Sequence, residues 1–172
     1  MLEDGSTADE QHLLERLRDL AGEGLACSAA VVLDQGRLFT PGPWPGLGMP
    51  KRSPFGSCHR NALRVARSTG GAYVEGFALA NGRVLPHAWC LTAGQVLDAT
   101  WPDGTAQALV GVAVTVAYVE AVQQRTCTRT AFPGILDTTL QWNRDAGRIF
   151  EYGIPDWALA DTRHHPSTPK AG

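Results

Sequence analysis

The clearest helical pattern in the chain lies close to its start. Within residues 8–21, the apolar positions recur at helical spacing and would share one face: Leu13, Leu14, Leu17, Leu20 and Ala21. The Gly-Glu-Gly segment at 22–24 predicts the end of this helix. Residues 28–33 (SAAVVL) and 37–40, joined around Asp34-Gln35-Gly36, predict a β-hairpin.

A proline-rich stretch then interrupts the regular pattern. Residues 41–54 contain five prolines and three glycines around Trp44, so no helix or strand is predicted there. A loop of this length is either an ordinary connector or part of a functional cleft, and the pattern favours neither. It leads into a predicted helix over 57–67, with Ser57 as the N-cap residue and an apolar face formed by Ala62, Val65 and Ala66.

The middle of the chain is rich in strand patterns. Strands are predicted over residues 72–80, 83–91 and 95–101, and the Asn81-Gly82 pair between the first two is typical of a type I′ turn. Alternating apolar residues predict a further strand over 110–118. Short helices are predicted over 119–126 and 137–150, and residues 161–172, rich in Pro, Thr and His, predict a flexible tail. The sequence therefore indicates one α+β domain over 1–160.

Composition narrows the functional classes. With 172 residues, 44% hydrophobic and 19% charged, the chain suits a single folded domain. The net charge of −2 and the absence of a long basic run disfavour nucleic acid as a partner. No secretory signal and no membrane-spanning apolar run is present, so a cytoplasmic location is expected. The four scattered cysteines fit reduced thiols better than a disulfide framework.

Three residues point to nucleophilic chemistry: Cys58 at the start of a helix, His87 in a strand and Asp98 in the strand that follows. A thiol nucleophile needs a base to accept its proton and a carboxylate to orient that base. A helix N-terminus favours a thiolate, and its free N–H groups can bind an oxyanion. We therefore interpret these residues as a candidate catalytic triad.

The predicted hairpin brings two of them together. If Thr92 faces Gln95 across a two-residue turn, His87 and Asp98 become diagonal neighbours on one face, about 7–8 Å apart at the backbone. A slip of one residue would place them on opposite faces. In this register the other, mostly apolar face carries the following residues: Ala88, Cys90, Leu97, Ala99 and Trp101.

The local sequence around these residues resembles that of the transglutaminase-like branch of the papain-type cysteine enzymes. The matching positions are Cys58 at a helix start, His87 within His87-Ala88-Trp89, and Asp98 within Asp98-Ala99-Thr100-Trp101, all within residues 56–102. Ala99 departs from the proline usual after the aspartate, and the interval of 11 residues between His87 and Asp98 is short for the family. The resemblance implies a papain-like antiparallel sheet, with the nucleophile at the N-terminus of a packed helix, and acyl-transfer or amide-hydrolysis chemistry.

Other interpretations of these residues stay open. Cys58 alone suits a buried structural thiol, and His87 alone a core histidine. His59 is adjacent to Cys58 but points about 100° away on a helix, so we expect it to serve the thiol poorly. A zinc site would draw on Cys58, His59, His87 and Cys90, but their spacing fits no familiar pattern.

The remaining expectations concern ligands. Trp44, Trp89 and Trp101 are candidate substrate-contact residues, although tryptophans in central strands are usually core. No P-loop, GxGxxG or HExxH motif occurs, so no cofactor and no metal are expected. The predicted function is a thiol hydrolase or acyltransferase acting on a peptide or small-molecule amide or ester. The alternatives are an amide-forming small-molecule acyltransferase and a non-catalytic binding domain that retains the fold.

Overall fold

The computed structural model describes residues 6–23, 27–46, 48–53, 57–126, 133–137 and 144–161. Its helices are α1 (Ala8–Gly22), α2 (Cys27–Gln35), α3 (Cys58–Thr69), α4 (Val116–Thr126) and α5 (Arg144–Tyr152), with a short 3-10 helix at Asp156–Ala158. Its strands are β1 (Arg37–Phe39), β2 (Ala72–Ala80), β3 (Arg83–Thr92), β4 (Gln95–Leu97) and β5 (Ala108–Val114). The fold is therefore α+β, as the sequence predicts.

All five strands form one antiparallel sheet in the order β1-β5-β2-β3-β4. Strand β2 lies in the middle and pairs along its whole length with β3. The turn between them has positive φ at both Asn81 and Gly82, as a type I′ turn requires. In the described chain, no helix is long and apolar enough to cross a membrane.

The helices cover one face of the sheet. Helix α1 begins with a capping box, in which Thr7 and Glu10 satisfy each other's backbone N–H groups. Its buried leucines 13, 14 and 17 belong to the main core, together with the apolar faces of α2 and α3. Helix α3 packs against β3 and β2 and ends at Gly70, whose φ of 68° is left-handed. A smaller cluster around Trp89 fills a second apolar layer.

The predicted hairpin over 28–40 is wrong in its first half. Residues 27–35 form helix α2, and the Gly36 N–H donates to the Val32 carbonyl at 2.9 Å, so this glycine ends a helix instead of making a hairpin turn. Strand β1 pairs with β5 instead. A short apolar run such as Ala29–Ala30–Val31–Val32 fits a buried helix as well as a strand, and contact with α1 decides the outcome.

The predicted strand over 110–118 extends too far. Strand β5 ends at Val114, because the Thr115 hydroxyl accepts the Tyr118 N–H at 3.3 Å and α4 begins at Val116. The predicted helices near the end are found as α4 and, within the described part of residues 137–150, as α5, which continues to Tyr152. Residues 138–143, Cys127 and residues 162–172 of the tail predicted over 161–172 lie outside the described residues.

The proline-rich stretch at 41–54 contains no helix or strand in its described part. It is fixed at two places. Asp103 accepts hydrogen bonds from the Trp44 N–H, at 3.0 Å, and from the Arg52 side chain. The Ser53 N–H donates to the Ala99 carbonyl at 2.9 Å. The loop is therefore held against the segment that carries Asp98.

Candidate active site

The hairpin of β3 and β4 has the register that the sequence predicts. Cys90 faces Leu97, Leu91 faces Val96 and Thr92 faces Gln95. His87 is 1% exposed, and its Nε2 lies 2.8 Å from Asp98 Oδ2. The structure therefore brings the predicted imidazole and carboxylate into direct contact.

A local turn fixes the Asp98 carboxylate. Strand β4 ends at Leu97, and the second oxygen of Asp98 accepts the backbone N–H groups of Thr100, at 2.8 Å, and Trp101, at 3.0 Å. Burial alone would raise the pKa of Asp98, but the hydrogen bond and charge of His87 and these two N–H groups outweigh it and lower that pKa. The carboxylate is thus held charged beside the imidazole.

Cys58 is the first residue of α3, as predicted. The first intrahelical hydrogen bond runs from Asn61 N–H to the Ser57 carbonyl at 2.9 Å, so the preceding N–H groups belong to the open end of the helix. Ser57 occupies the N-cap position, but its side chain makes no capping hydrogen bond within the described part of the chain. The Cys58 side chain is half-buried next to the main core.

Cys58 and His87 each affect the pKa of the other: the imidazole lowers the pKa of the thiol, and the thiol raises the pKa of the imidazole. Because Nε2 is bonded to Asp98, Nδ1 is the ring nitrogen left for the thiol. Burial disfavours the charged form of His87, but its hydrogen bonds to Asp98 and Cys58 outweigh that effect and raise its pKa. Cys58 and His87 are thus near enough to shift each other's pKa, and His87 is in turn bonded to Asp98.

The expectation for His59 is wrong. Its Nδ1 lies 3.6 Å from Cys58 Sγ, as close as a sulfur hydrogen bond requires. The 100° step between adjacent helix residues separates their Cα–Cβ bonds, but it does not prevent a long imidazole in the first turn from bending back toward its neighbour. Cys58 therefore has two imidazoles beside it.

Together the two imidazoles change the acidity of the thiol. Burial alone would raise the pKa of Cys58, but hydrogen bonds and positive charge from His59 and His87 outweigh it and lower that pKa from 9.0 to about 6. A thiol with this pKa is mostly thiolate at neutral pH. The arrangement can thus supply a sulfur nucleophile without any further activation.

Glu75 is a site residue that the sequence analysis missed. It is a 4% exposed carboxylate in β2, and its Oε1 lies 3.6 Å from His59 Nε2. The available signal was a single charged residue within the otherwise apolar strand AYVEGFALA, because buried carboxylates require partners. Asn61 was also missed. It is 4% exposed, and its Nδ2 donates to Thr100 Oγ1 at 3.1 Å, which ties α3 to the Asp98 turn.

The three tryptophans have different surroundings. Trp89 is 0% exposed and packs edge-on against Phe39, so the expectation that it contacts substrate is wrong and its alternative, a core position, fits. Trp101 stacks on His87 with ring centroids 3.8 Å apart and planes at 10°. Its predicted place on the opposite face is wrong because β4 has already ended at Leu97 and strand alternation no longer applies. Trp44 packs against the main core, with Arg52 over its ring.

Cys90 lies apart from the site. It is 0% exposed, with Thr92 Oγ1 at 3.4 Å and Thr69 Oγ1 at 3.7 Å from its sulfur. Burial raises the pKa of Cys90, and those two hydroxyls only partly counteract it. Among the described residues, no group of three or more His, Cys, Asp or Glu side chains is arranged to hold a metal ion, so the zinc interpretation gains no support.

A cavity of about 220 Å³ adjoins the site on the side of His59. It is lined by Ser28, His59, Glu75, Gly76, Phe77, Pro86, Pro133, Leu136 and Asp137.

No protein family, curated protein sequence or solved structure matches this chain significantly. The chemistry of the site itself is therefore the basis for assigning a function.

Proposed function

We propose that this protein is a thiol-dependent acyl-transfer enzyme in which Cys58 attacks the carbonyl carbon of an amide or ester. His87 acts as the general base and acid, and Asp98 orients it. One observation carries the proposal: the thiol at the start of α3 has its pKa lowered to about 6 by His59 and His87, and His87 Nε2 is 2.8 Å from a carboxylate fixed by two backbone N–H groups. A buried structural thiol needs none of these partners.

In the resting enzyme at neutral pH the Cys58 proton has already passed to His87 Nδ1, which leaves a thiolate beside an imidazolium. The thiolate then adds to the carbonyl carbon, and the oxyanion that forms accepts hydrogen bonds from the open N–H groups at the start of α3. His87⁺, held by Asp98, gives its proton to the leaving amine or alkoxide as the bond to carbon breaks. The acyl group remains on the sulfur as a thioester.

A second half-reaction releases the acyl group. Water or a primary amine loses a proton to His87 as it attacks the thioester carbonyl, and the sulfur of Cys58 leaves as thiolate. Water yields a carboxylic acid and thus hydrolysis, whereas an amine yields a new amide. Trp101, stacked on the His87 ring, excludes water from one face of the imidazole, which favours a stable pairing of His87 with Asp98.

The finer fold assignment is part of the same proposal. A nucleophile at the first position of a helix, packed against an antiparallel sheet whose strand β3 carries the histidine, is similar to the papain-like arrangement of transglutaminase-like enzymes. The cavity beside His59 has room for a small substrate group. We propose a peptide or a small-molecule amide or ester as the substrate class.

Trapping of an acyl-enzyme tests the proposal. The protein would be mixed with p-nitrophenyl acetate and its intact mass recorded, with peptide mapping to locate the acetyl group. We expect one acetyl group on Cys58, absent from Cys58→Ala and formed much more slowly in His87→Gln. Cys90→Ser, a change at a buried thiol outside the site, should label like the wild type. Faster loss of the adduct with an added primary amine would indicate transfer, and equal labelling of Cys58→Ala would refute the proposal.

A further inference from the structure

The buried Glu75 carboxylate accepts hydrogen bonds from three donors. Its Oε2 accepts the Tyr73 hydroxyl at 2.5 Å and the Ile135 N–H at 2.7 Å, while its Oε1 accepts the Leu136 N–H at 2.9 Å. These donors come from β2 itself and from the segment 133–137, which crosses over the strand. The carboxylate position is thus fixed by two separate parts of the chain.

The segment 133–137 also encloses His59. Gly134 has a φ of 103°, and a side chain there would approach Glu75 Oε1 at 2.3 Å and His59 Cδ2 at 2.7 Å. Glycine is therefore needed where the backbone passes over both groups. His59 is buried to about four-fifths, with 19% of its side chain exposed. This close cover keeps the imidazole between the carboxylate and the sulfur.

The two nitrogens of His59 face groups that both favour a positive charge. Nδ1 lies 3.6 Å from Cys58 Sγ, and Nε2 lies 3.6 Å from Glu75 Oε1. Asp137 adds a further negative charge from segment 133–137. The order Glu75–His59–Cys58 thus matches the order Asp98–His87–Cys58, and the two chains of groups meet at the same sulfur.

We propose that Glu75 and His59 form a second carboxylate–imidazole pair, separate from Asp98 and His87. In this pair His59 stays protonated, and its positive charge stabilises the Cys58 thiolate. This inference rests on the proposed function, because it assigns a task to residues around the same nucleophile. His59 is a positioning residue in this scheme: it carries its proton throughout, while His87 alone exchanges protons with the sulfur and the substrate.

The electrostatics of the site agree with this division of tasks. Burial disfavours the charged form of His59, but Glu75, the Cys58 thiolate and Asp137 outweigh it and raise its pKa to about 9. Between pH 6 and 9 the Cys58 sulfur is thus ionised while His59 is still protonated. A group that stays protonated up to about pH 9 cannot take a proton from an attacking water or amine at neutral pH, so that role belongs to His87.

The pH dependence of Cys58 alkylation tests the proposal. The rate with iodoacetamide, followed by peptide mapping, would be measured from pH 5 to 10 for the wild type and for His59→Gln, which leaves the hydrogen bonds of Glu75 in place. We expect the midpoint to rise by about one pH unit or more, and the rate at pH 6 to fall about fivefold or more. At high pH, where either thiol is ionised, the rate should equal or exceed that of the wild type.

Glu75→Gln is the second variant. It removes the charge but sets an amide N–H₂ against a backbone N–H, so its fold would be checked by circular dichroism. If it folds, the midpoint should rise as it does in His59→Gln. Glu120→Gln, a carboxylate-to-amide change at the Arg67 ion pair near the far end of α3, is the matched control and should leave the midpoint unchanged.

The outcomes separate the two proposals. If the wild-type midpoint is near 6 and rises in His87→Gln, while His59→Gln leaves it unchanged, the second pair is refuted and the proposed function stands. A lower rate of His59→Gln at every pH with an unchanged midpoint would also refute the second pair, since it indicates a structural role only. A wild-type midpoint near the ordinary thiol value would refute the proposed function itself.

Discussion

Replacing Asp98 with asparagine gives a sharp prediction because the surroundings dictate how the amide must lie. One oxygen of Asp98 accepts two backbone N–H groups, so the asparagine oxygen must take that place. The amide nitrogen then faces His87 Nε2 and donates to it, so the neutral imidazole carries its proton on Nδ1, facing the sulfur. His87 can then no longer accept the Cys58 proton.

The size of the effect follows from the acidity of the thiol. With a pKa of about 6, roughly nine-tenths of Cys58 is thiolate at pH 7, whereas the ordinary value of 9.0 leaves about one-hundredth. Complete loss of activation would therefore slow alkylation at pH 7 about ninetyfold. Because His59 still contributes, we expect a loss of at least about tenfold, equivalent to a pKa near 8.

The assay is the rate of iodoacetamide labelling of Cys58 at pH 7, resolved from other cysteines by peptide mapping. Asp34→Asn, the same change at an exposed position of α2, is the control and should label at the wild-type rate. Circular dichroism would confirm that both variants are folded. A rate for Asp98→Asn within twofold of the wild type would show that the carboxylate does not control the thiol, and our account of the site would fail.

Three other changes test the supporting structure. Asn61→Ala leaves the buried Thr100 hydroxyl without its donor and should lower the free energy of unfolding in urea by about 1–3 kcal/mol; no change would mean that this bond does not tie α3 to the Asp98 turn. Gly134→Ala should displace Glu75 and cost about 1–3 kcal/mol in the same assay, and wild-type stability would contradict the close approach. The lowered pKa of Asp98 adds stability above the unfolded value of 3.8 that is lost as pH falls through the folded value, so Asp98→Asn should lose less stability on acidification than the wild type. If both proteins lost the same stability on acidification, the Asp98 carboxylate would not be the source of this pH dependence.

The contact between His87 and Asp98 could be predicted because local information determines it. A two-residue turn between Thr92 and Gln95 fixes the register of the hairpin, and the register fixes which residues are neighbours. The start of α3 at Cys58 could be predicted in the same way, because the residues next to it in sequence indicate it. Trp101 could not be placed this way, because the Asp98 side chain ends the strand by capping backbone N–H groups, and only side-chain contacts show that.

The rest of the site depends on contacts that are distant in sequence. Glu75 and segment 133–137 are separated by about 60 residues, so the strand pattern marks the glutamate as unusual without naming its partners. His59 was misjudged because the helical step describes Cβ directions and not the reach of an imidazole. The strand predicted over 28–33 is wrong for the same reason, because packing against α1, and not the local pattern, makes this segment helical.

The central claim is that Cys58 is a thiolate at neutral pH. The most direct measurement is the ultraviolet absorbance of the thiolate as a function of pH, taken as the difference between the wild type and Cys58→Ser. We predict a single ionisation with a midpoint near pH 6, which moves upward when His87 is replaced with glutamine. A midpoint close to 9, unaffected by that replacement, would contradict the account.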